Sequence, residues 1–273
     1  MPKVKVGDIH MYYEVHGKGE PLAFILGMDS NISSLFRRIP VFAREYKVIA
    51  FDNRGTGRSD VPDNPYTIET MADDLAGLLN IIGIDQTHIY GISMGGGVAQ
   101  TFALRYPKRV ISLILACTSC GGAHAVPPDK EYIRYISDVA RLQKLTLEEK
   151  IRERMRFFAS QEFIDNNPGF MKELVIKLME YPTTPQGLAG QMQMAQSAGT
   201  YEHLPEIKAP TLVIHGDADQ LVPVENAHIL ASRIAGAELV ILKNMRHGFA
   251  YEAEEESNRI IMDFLRRHST KKA

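Results

Sequence analysis

The sequence predicts an α/β fold: a mostly parallel, twisted sheet of eight strands, covered by helices on both faces and interrupted by one inserted helical lid. Three observations predict it. Two short alternating strands open the chain, six continuous apolar runs follow with helical patterns between them, and this rhythm stops between residues 121 and 204. Residues 1–120 and 205–273 are therefore expected to form the core domain, with residues 121–204 as the lid inserted in it.

Residues 3–6 and 9–14 alternate apolar with polar side chains, are separated by Gly7-Asp8 and end at Gly17-Lys18-Gly19. That pattern predicts an antiparallel start. Residues 22–26, 48–51, 89–90, 110–115, 211–214 and 239–242 are apolar runs without alternation, as in strands buried on both faces. Such strands usually run parallel, and the connecting segments carry the helices this requires. Over residues 68–82, Met71, Leu75, Leu78, Leu79 and Ile82 recur at helical spacing, and a second helix is expected over residues 96–104. The final helix, residues 254–267, places Glu254, Glu255 and Glu256 in its first turns and Arg266 and Arg267 in its last, which suits the helix dipole without any partner. In the lid, polar helices carry apolar stripes and five methionines, Met155, Met171, Met179, Met192 and Met194. Flexible thioethers suit an adaptable apolar pocket, and Met155, Met192 and Phe158 are expected to touch the substrate.

With 273 residues, 45% of them hydrophobic, the chain can bury a large core. Thirty-one basic residues against 33 acidic ones, without a basic block, give no electrostatic footprint for nucleic acid or an anionic membrane. A small-molecule partner is expected, and the sequence leaves open whether the chain is a homodimer. The amino-terminal residues lack the apolar stretch of a signal peptide, and no later run is long enough to span a bilayer, so a cytoplasmic location is expected. Only Cys117 and Cys120 are present, too few for a disulfide scaffold, and only His124 lies near them as a further zinc ligand. They read as small residues ending a buried strand. Gly55-Thr56-Gly57 is not a phosphate loop, and neither a metal nor an organic cofactor is expected.

Gly91-Ile92-Ser93-Met94-Gly95 is the most informative stretch, because glycines two residues either side of a serine permit a turn too tight for side chains. A strand precedes it and a helix follows. Ser93 at such a junction is an exposed nucleophile, with the helix amino terminus aiming free N–H groups at a developing oxyanion. A serine hydroxyl needs a base, and the base an orienting acid. Catalytic groups gather at the carboxyl ends of sheet strands, which directs attention to the loops after the last two runs. Asp219 is the expected acid, with Asp217 its rival in the same loop, and His247 is the expected base, with His215 its rival.

The nucleophile, acid and histidine, in this order and in these loops, make the chain resemble the α/β-hydrolase family over nearly all its length. Leu26-Gly27-Met28-Asp29 matches its oxyanion loop, and Asp52-Asn53-Arg54-Gly55-Thr56-Gly57-Arg58-Ser59 looks like its Asp-x-Arg-Gly-x-Gly-x-Ser segment. The family commonly has histidine before the oxyanion-loop glycine. Leu26 stands there in this chain, so hydrogen bonds shaping the loop must come from elsewhere. The resemblance implies the N–H groups of Met28 and Met94 as oxyanion donors. It also implies a serine hydrolase acting on a small-molecule ester or lactone, similar to small bacterial carboxylesterases and 3-oxoadipate enol-lactonases. A carbon–carbon bond hydrolase using the same triad, and a small-molecule receptor of the same fold, are the alternatives. Haloalkane dehalogenases and epoxide hydrolases share the scaffold but use aspartate where Ser93 stands.

Overall fold

A computed structural model describes residues 3–197 and 199–270. Its strands are β1 (Lys3–Val6), β2 (Ile9–His16), β3 (Glu20–Ile25), β4 (Tyr46–Phe51), β5 (Thr87–Ile92), β6 (Val110–Ala116), β7 (Thr211–Gly216) and β8 (Glu238–Leu242). They form one sheet in the order β1-β2-β4-β3-β5-β6-β7-β8. β2 pairs antiparallel with β1 and β4, and every later pair is parallel. Gly7, at φ +54°, turns β1 back on β2 so that Val6 faces Ile9.

The apolar runs lack alternation because both faces are covered. Ala23 and Ile25 of β3, Ile49 and Phe51 of β4, and Val213 of β7 enter one core, with residues from helices Ile68–Ile81, Met94–Arg105 and Glu225–Arg233. Leu22, Phe24, Val48, Ala50, Leu212 and Ile214, one residue out of phase, enter the opposite core against helices Arg38–Phe42 and Glu254–Arg267. β8 departs from the sequence expectation of burial on both faces, since only Leu242 is fully buried. It closes the sheet edge with β7 as its one neighbour.

Helix Ile68–Ile81 begins at Thr67, whose side chain accepts the Thr70 N–H, and turns Met71, Leu75, Leu78 and Leu79 inward at the spacing its sequence carries. Helix Glu254–Arg267 occupies the residues expected for it.

Between β6 and β7 the chain inserts helices Lys130–Ser137, Val139–Leu142, Leu147–Phe158, Gln161–Asn166, Pro168–Met179 and Pro185–Ser197. Leu147–Phe158 opens with a capping box in which Thr146 and Glu149 satisfy each other's backbone N–H groups. Its inner face packs Ile151 and Met155 against Met171, Leu174 and Val175, a small core separate from the two that sandwich the sheet. Among the described residues, no helix is long and apolar enough to cross a membrane.

Candidate active site

Ser93 stands alone between β5 and helix Met94–Arg105, at φ +54° and ψ −123°. For a residue with a Cβ this backbone costs about 1–3 kcal/mol and persists only where the surroundings dictate it. Here they do. The Ser93 N–H donates to Ala116 O at 2.9 Å, and Ser93 O accepts from Gly96 N at 2.8 Å and Thr118 Oγ1 at 2.7 Å. The flanking glycines are demanded by close approach: a Cβ on Gly91 would sit 2.6 Å from Ala99 Cβ, and one on Gly95 would sit 2.2 Å from Ile25 O.

The structure brings His247 and Asp219 to this serine. His247 Nε2 lies 3.1 Å from Ser93 Oγ, and His247 Nδ1 lies 2.7 Å from Asp219 Oδ2. A carboxylate only accepts, so Nδ1 carries the proton and the bare Nε2 faces the hydroxyl. Asp219 Oδ1 accepts the N–H groups of Leu221 and Val222, each at 2.9 Å. Burial alone would raise the Asp219 carboxyl, but the facing His247 and the His215 hydrogen bond outweigh it and bring the pKa from 3.8 to about 2.

The two rival residues hold the loops. Asp217 Oδ1 accepts the Asn244 N–H at 2.6 Å, fastening the acid loop to the loop that carries His247. His215 is buried, its Nε2 2.7 Å from Val222 O and 3.3 Å from Asp219 Oδ2. Gly248 admits a neighbouring backbone: its N–H donates to Phe158 O at 2.7 Å, which is also where a Cβ would collide.

Gly27 lies against the serine, since a Cβ there would be 3.2 Å from Ser93 Cβ, so Met28 and Asp29 follow at the rim of the site. Met94 is the first residue of its helix, where a backbone N–H has no intrahelical acceptor. Leu26 O accepts Asn53 Nδ2 at 3.0 Å. Asp29, at φ +58°, donates its N–H to Gln191 Oε1 at 3.0 Å and takes Arg154 Nη1 on its carboxylate at 2.7 Å. Sequence reasoning missed Gln191 and Arg154. The available signal was a polar residue, Gln191, on the same helical face as Met194.

A cavity of about 110 Å³ opens beside Ser93, lined by Ile68, Met94, Thr118, Met194 and Val222 among others. Phe158, expected at the substrate, does not line this cavity; its ring stands edge-on to His247 at 5.2 Å. Met155 and Met192, expected at the substrate, do not line this cavity. Met155 faces the insertion's own core beside Ile151, and Met192 is 46% exposed, on the far side of its helix from buried Gln191 and Met194. Cys117 and Cys120 are buried free thiols, and burial pushes the Cys117 thiol up.

A family model described as alpha/beta hydrolase fold matches residues 16–254. The chain belongs to the α/β hydrolase fold family. Similar relatives of this α/β hydrolase include the 2-hydroxy-6-oxononadienedioate/2-hydroxy-6-oxononatrienedioate hydrolase of Paraburkholderia xenovorans, 30% identical over 95% of this chain and 91% of that protein. The poly(3-hydroxyalkanoate) depolymerase of Ectopseudomonas oleovorans is also 30% identical, over 90% of this chain and 84% of its own. Among solved structures, a thermophilic esterase from Thermogutta terrifontis, with malate bound, is 28% identical with a TM-score of 0.80, covering 99% of this α/β hydrolase and 100% of that chain.

Chemically, the arrangement joins a hydroxyl to one imidazole nitrogen and the other imidazole nitrogen to a buried carboxylate. A proton leaving Ser93 Oγ has an acceptor 3.1 Å away, and the resulting imidazolium has a counter-charge at 2.7 Å.

Proposed function

We propose that this α/β hydrolase cleaves a carboxylic ester or lactone of a small molecule through an acyl-enzyme on Ser93. The unbroken hydrogen-bonded chain from Ser93 through His247 to Asp219 carries the reading. Ser93 Oγ adds to the substrate carbonyl as its proton passes to His247 Nε2, and Asp219 stabilises the imidazolium. The oxyanion is met by the N–H groups of Met28 and Met94, each worth about 3 kcal/mol to the tetrahedral transition state. Collapse breaks the carbon–oxygen bond, and the leaving alkoxide takes the proton from His247. A water molecule then repeats the sequence on the acyl group, releasing the acid and restoring the serine. None of these steps requires a metal or organic cofactor.

The Ile68, Met94, Met194 and Val222 side chains at the cavity favour short, uncharged acyl groups. The charge of Arg154 is matched by Asp29 at 2.7 Å, which supports the same preference. In this reading the inserted helices 121–204 act as the lid over the site. A carbon–carbon bond hydrolase is the second reading, favoured by the 30% identity with the Paraburkholderia enzyme.

The test compares nitrophenyl esters of two to eight carbons with a vinylogous diketone, in wild type and Ser93→Ala, with circular dichroism establishing that the variant folds. Ester turnover lost with the serine is expected. Diketone cleavage exceeding ester cleavage in kcat/KM would replace the ester reading by the second one.

A further inference from the structure

The segment after Gly27 is held by the sheet domain at Ile32, whose N–H donates to Asp52 Oδ1 at 2.8 Å, and by the insertion at Asp29, Asn31 and Ser33. Leu26, before it, is anchored by the core residue Asn53 at 3.0 Å. Three of the residues that follow bond to the insertion: Asp29 to Gln191 and Arg154, Asn31 Nδ2 to Tyr181 O at 2.7 Å, and Ser33 Oγ to Glu180 Oε2 at 2.9 Å. Gln191 is completely buried and uses both ends of its amide, accepting from Asp29 N at 3.0 Å and donating to Arg54 O at 3.3 Å. Arg154 arrives from a different helix, Leu147–Phe158, and its guanidinium also lies 5.8 Å over the Phe158 ring that abuts His247. Asp29 is a non-glycine residue at φ +58°, a conformation an L-residue keeps when its contacts impose it.

We propose that the insertion sets the oxyanion hole, with Gln191 and Arg154 as positioning residues that hold Asp29 and thereby aim the adjacent Met28 N–H at the reacting oxygen. This rests on the reading of Ser93 as nucleophile. The Asp29 N–H shares its peptide plane with Met28 C=O, and only the φ and ψ of Met28 separate that plane from the one carrying Met28 N–H, so fixing the Asp29 amide restricts where the Met28 N–H can point. The histidine that the family usually has where Leu26 stands is thus replaced in function by the Gln191 amide, 162 residues beyond Asp29.

The variants are Gln191→Met, near in size but with neither donor nor acceptor, Gln191→Glu, which keeps the acceptor for the Asp29 N–H, and Arg154→Met. Gln193→Ala, exposed on the same helix, is the control. Active sites are titrated with a fluorophosphonate, and kcat per site, KM and affinity for an alkyl trifluoromethyl ketone are measured. The ketone forms a hemiketal with Ser93 whose oxyanion occupies the hole. For Gln191→Met, kcat per site is expected to fall about 10- to 100-fold with KM within about twofold, and ketone affinity to fall in parallel. Gln191→Glu is expected to recover part of both losses. A kcat per site within about twofold of wild type, or a loss that leaves ketone affinity unchanged, overturns the proposal. If Gln191→Met does not fold, Arg154→Met decides on the same readouts. Ketone affinity is read by thermal shift without turnover, so a wild type that binds ketone but cleaves no ester refutes the ester assignment alone.

Discussion

Replacing Asp219 by Asn removes one charge and reverses one hydrogen bond, and the structure fixes which one. Asp219 Oδ1 accepts two backbone N–H groups, from Leu221 and Val222, each at 2.9 Å. The Asn side chain must keep its carbonyl oxygen there, because its NH2 would face two donors. Its NH2 is then directed to His247 Nδ1, now 2.7 Å from a donor, and Nδ1 must give up its proton. The proton moves to Nε2, the nitrogen facing Ser93 Oγ, so the base arrives already protonated. A neutral imidazole in the wrong tautomer cannot accept the serine proton, and losses of about 10⁴-fold in kcat are typical, equivalent to about 5.4 kcal/mol. Stability changes too. The Asp219 carboxyl is held from 3.8 down to about 2, so folding favours its ionised form. That contribution, about 2 kcal/mol, is present above about pH 4 and is lost as the pH falls towards 2. Asn, neutral like the protonated acid, forfeits it at pH 7, lowering Tm by about 4–8 °C while leaving the protein folded at 25 °C. The assay is kcat/KM on a nitrophenyl ester alongside thermal melting. Asp217→Asn, whose carboxylate bonds to the Asn244 N–H and pairs with Lys243, is the comparison and loses less than about tenfold. An Asp219→Asn enzyme retaining more than about one-tenth of wild-type kcat/KM refutes the tautomer argument.

Two further outcomes follow from geometry. Ser93→Gly removes a Cβ from a backbone at φ +54°, releasing strain of about 1–3 kcal/mol against a glycine cost of about 1 kcal/mol. The net gain of about 0–2 kcal/mol is expected to raise Tm by up to about 8 °C as activity disappears, and a lower Tm shows that the elbow holds no such strain. Asp74→Ala strips the bidentate partner, at 2.6 and 2.7 Å, from the buried Arg54 and leaves it the half-exposed Asp8 carboxylate at 3.0 Å. With Asp8 still paired, urea denaturation is expected to register a loss of about 2–4 kcal/mol, and a loss below about 1 kcal/mol contradicts the cost assigned to a buried guanidinium stripped of its bidentate partner.

What could be read from the chain, and what could not, divides along the range of the interactions. Strand runs such as residues 22–26 are legible because burial on both faces leaves no polar position, and the turn at Ser93 because Gly91 and Gly95 are demanded by contacts of 2.6 and 2.2 Å that any side chain would break. The composition of β8 matches that of central strands and so predicts burial on both faces; its place at the sheet edge is a property of topology. The loops bearing Asp219 and His247 are legible by position after β7 and β8, whereas the separate tasks of Asp217 and His215 emerge only when Asn244 and Val222 are seen folded against them. The insertion is hardest, since periodicity identifies which face of a helix is apolar and not what that face meets. Met155 and Met192 look alike in sequence; one fills the insertion's own core and the other faces solvent, while Met194 reaches the cavity. Gln191 was overlooked for the converse reason, that a lone amide on a buried helical face looks like a defect of amphipathicity. Leu26 supplied the missing half of that clue. A loop that resembles the family's oxyanion loop but lacks its usual histidine needs a hydrogen-bonding partner from elsewhere, and a buried glutamine three residues from Met194 is a side chain whose own amide requires one.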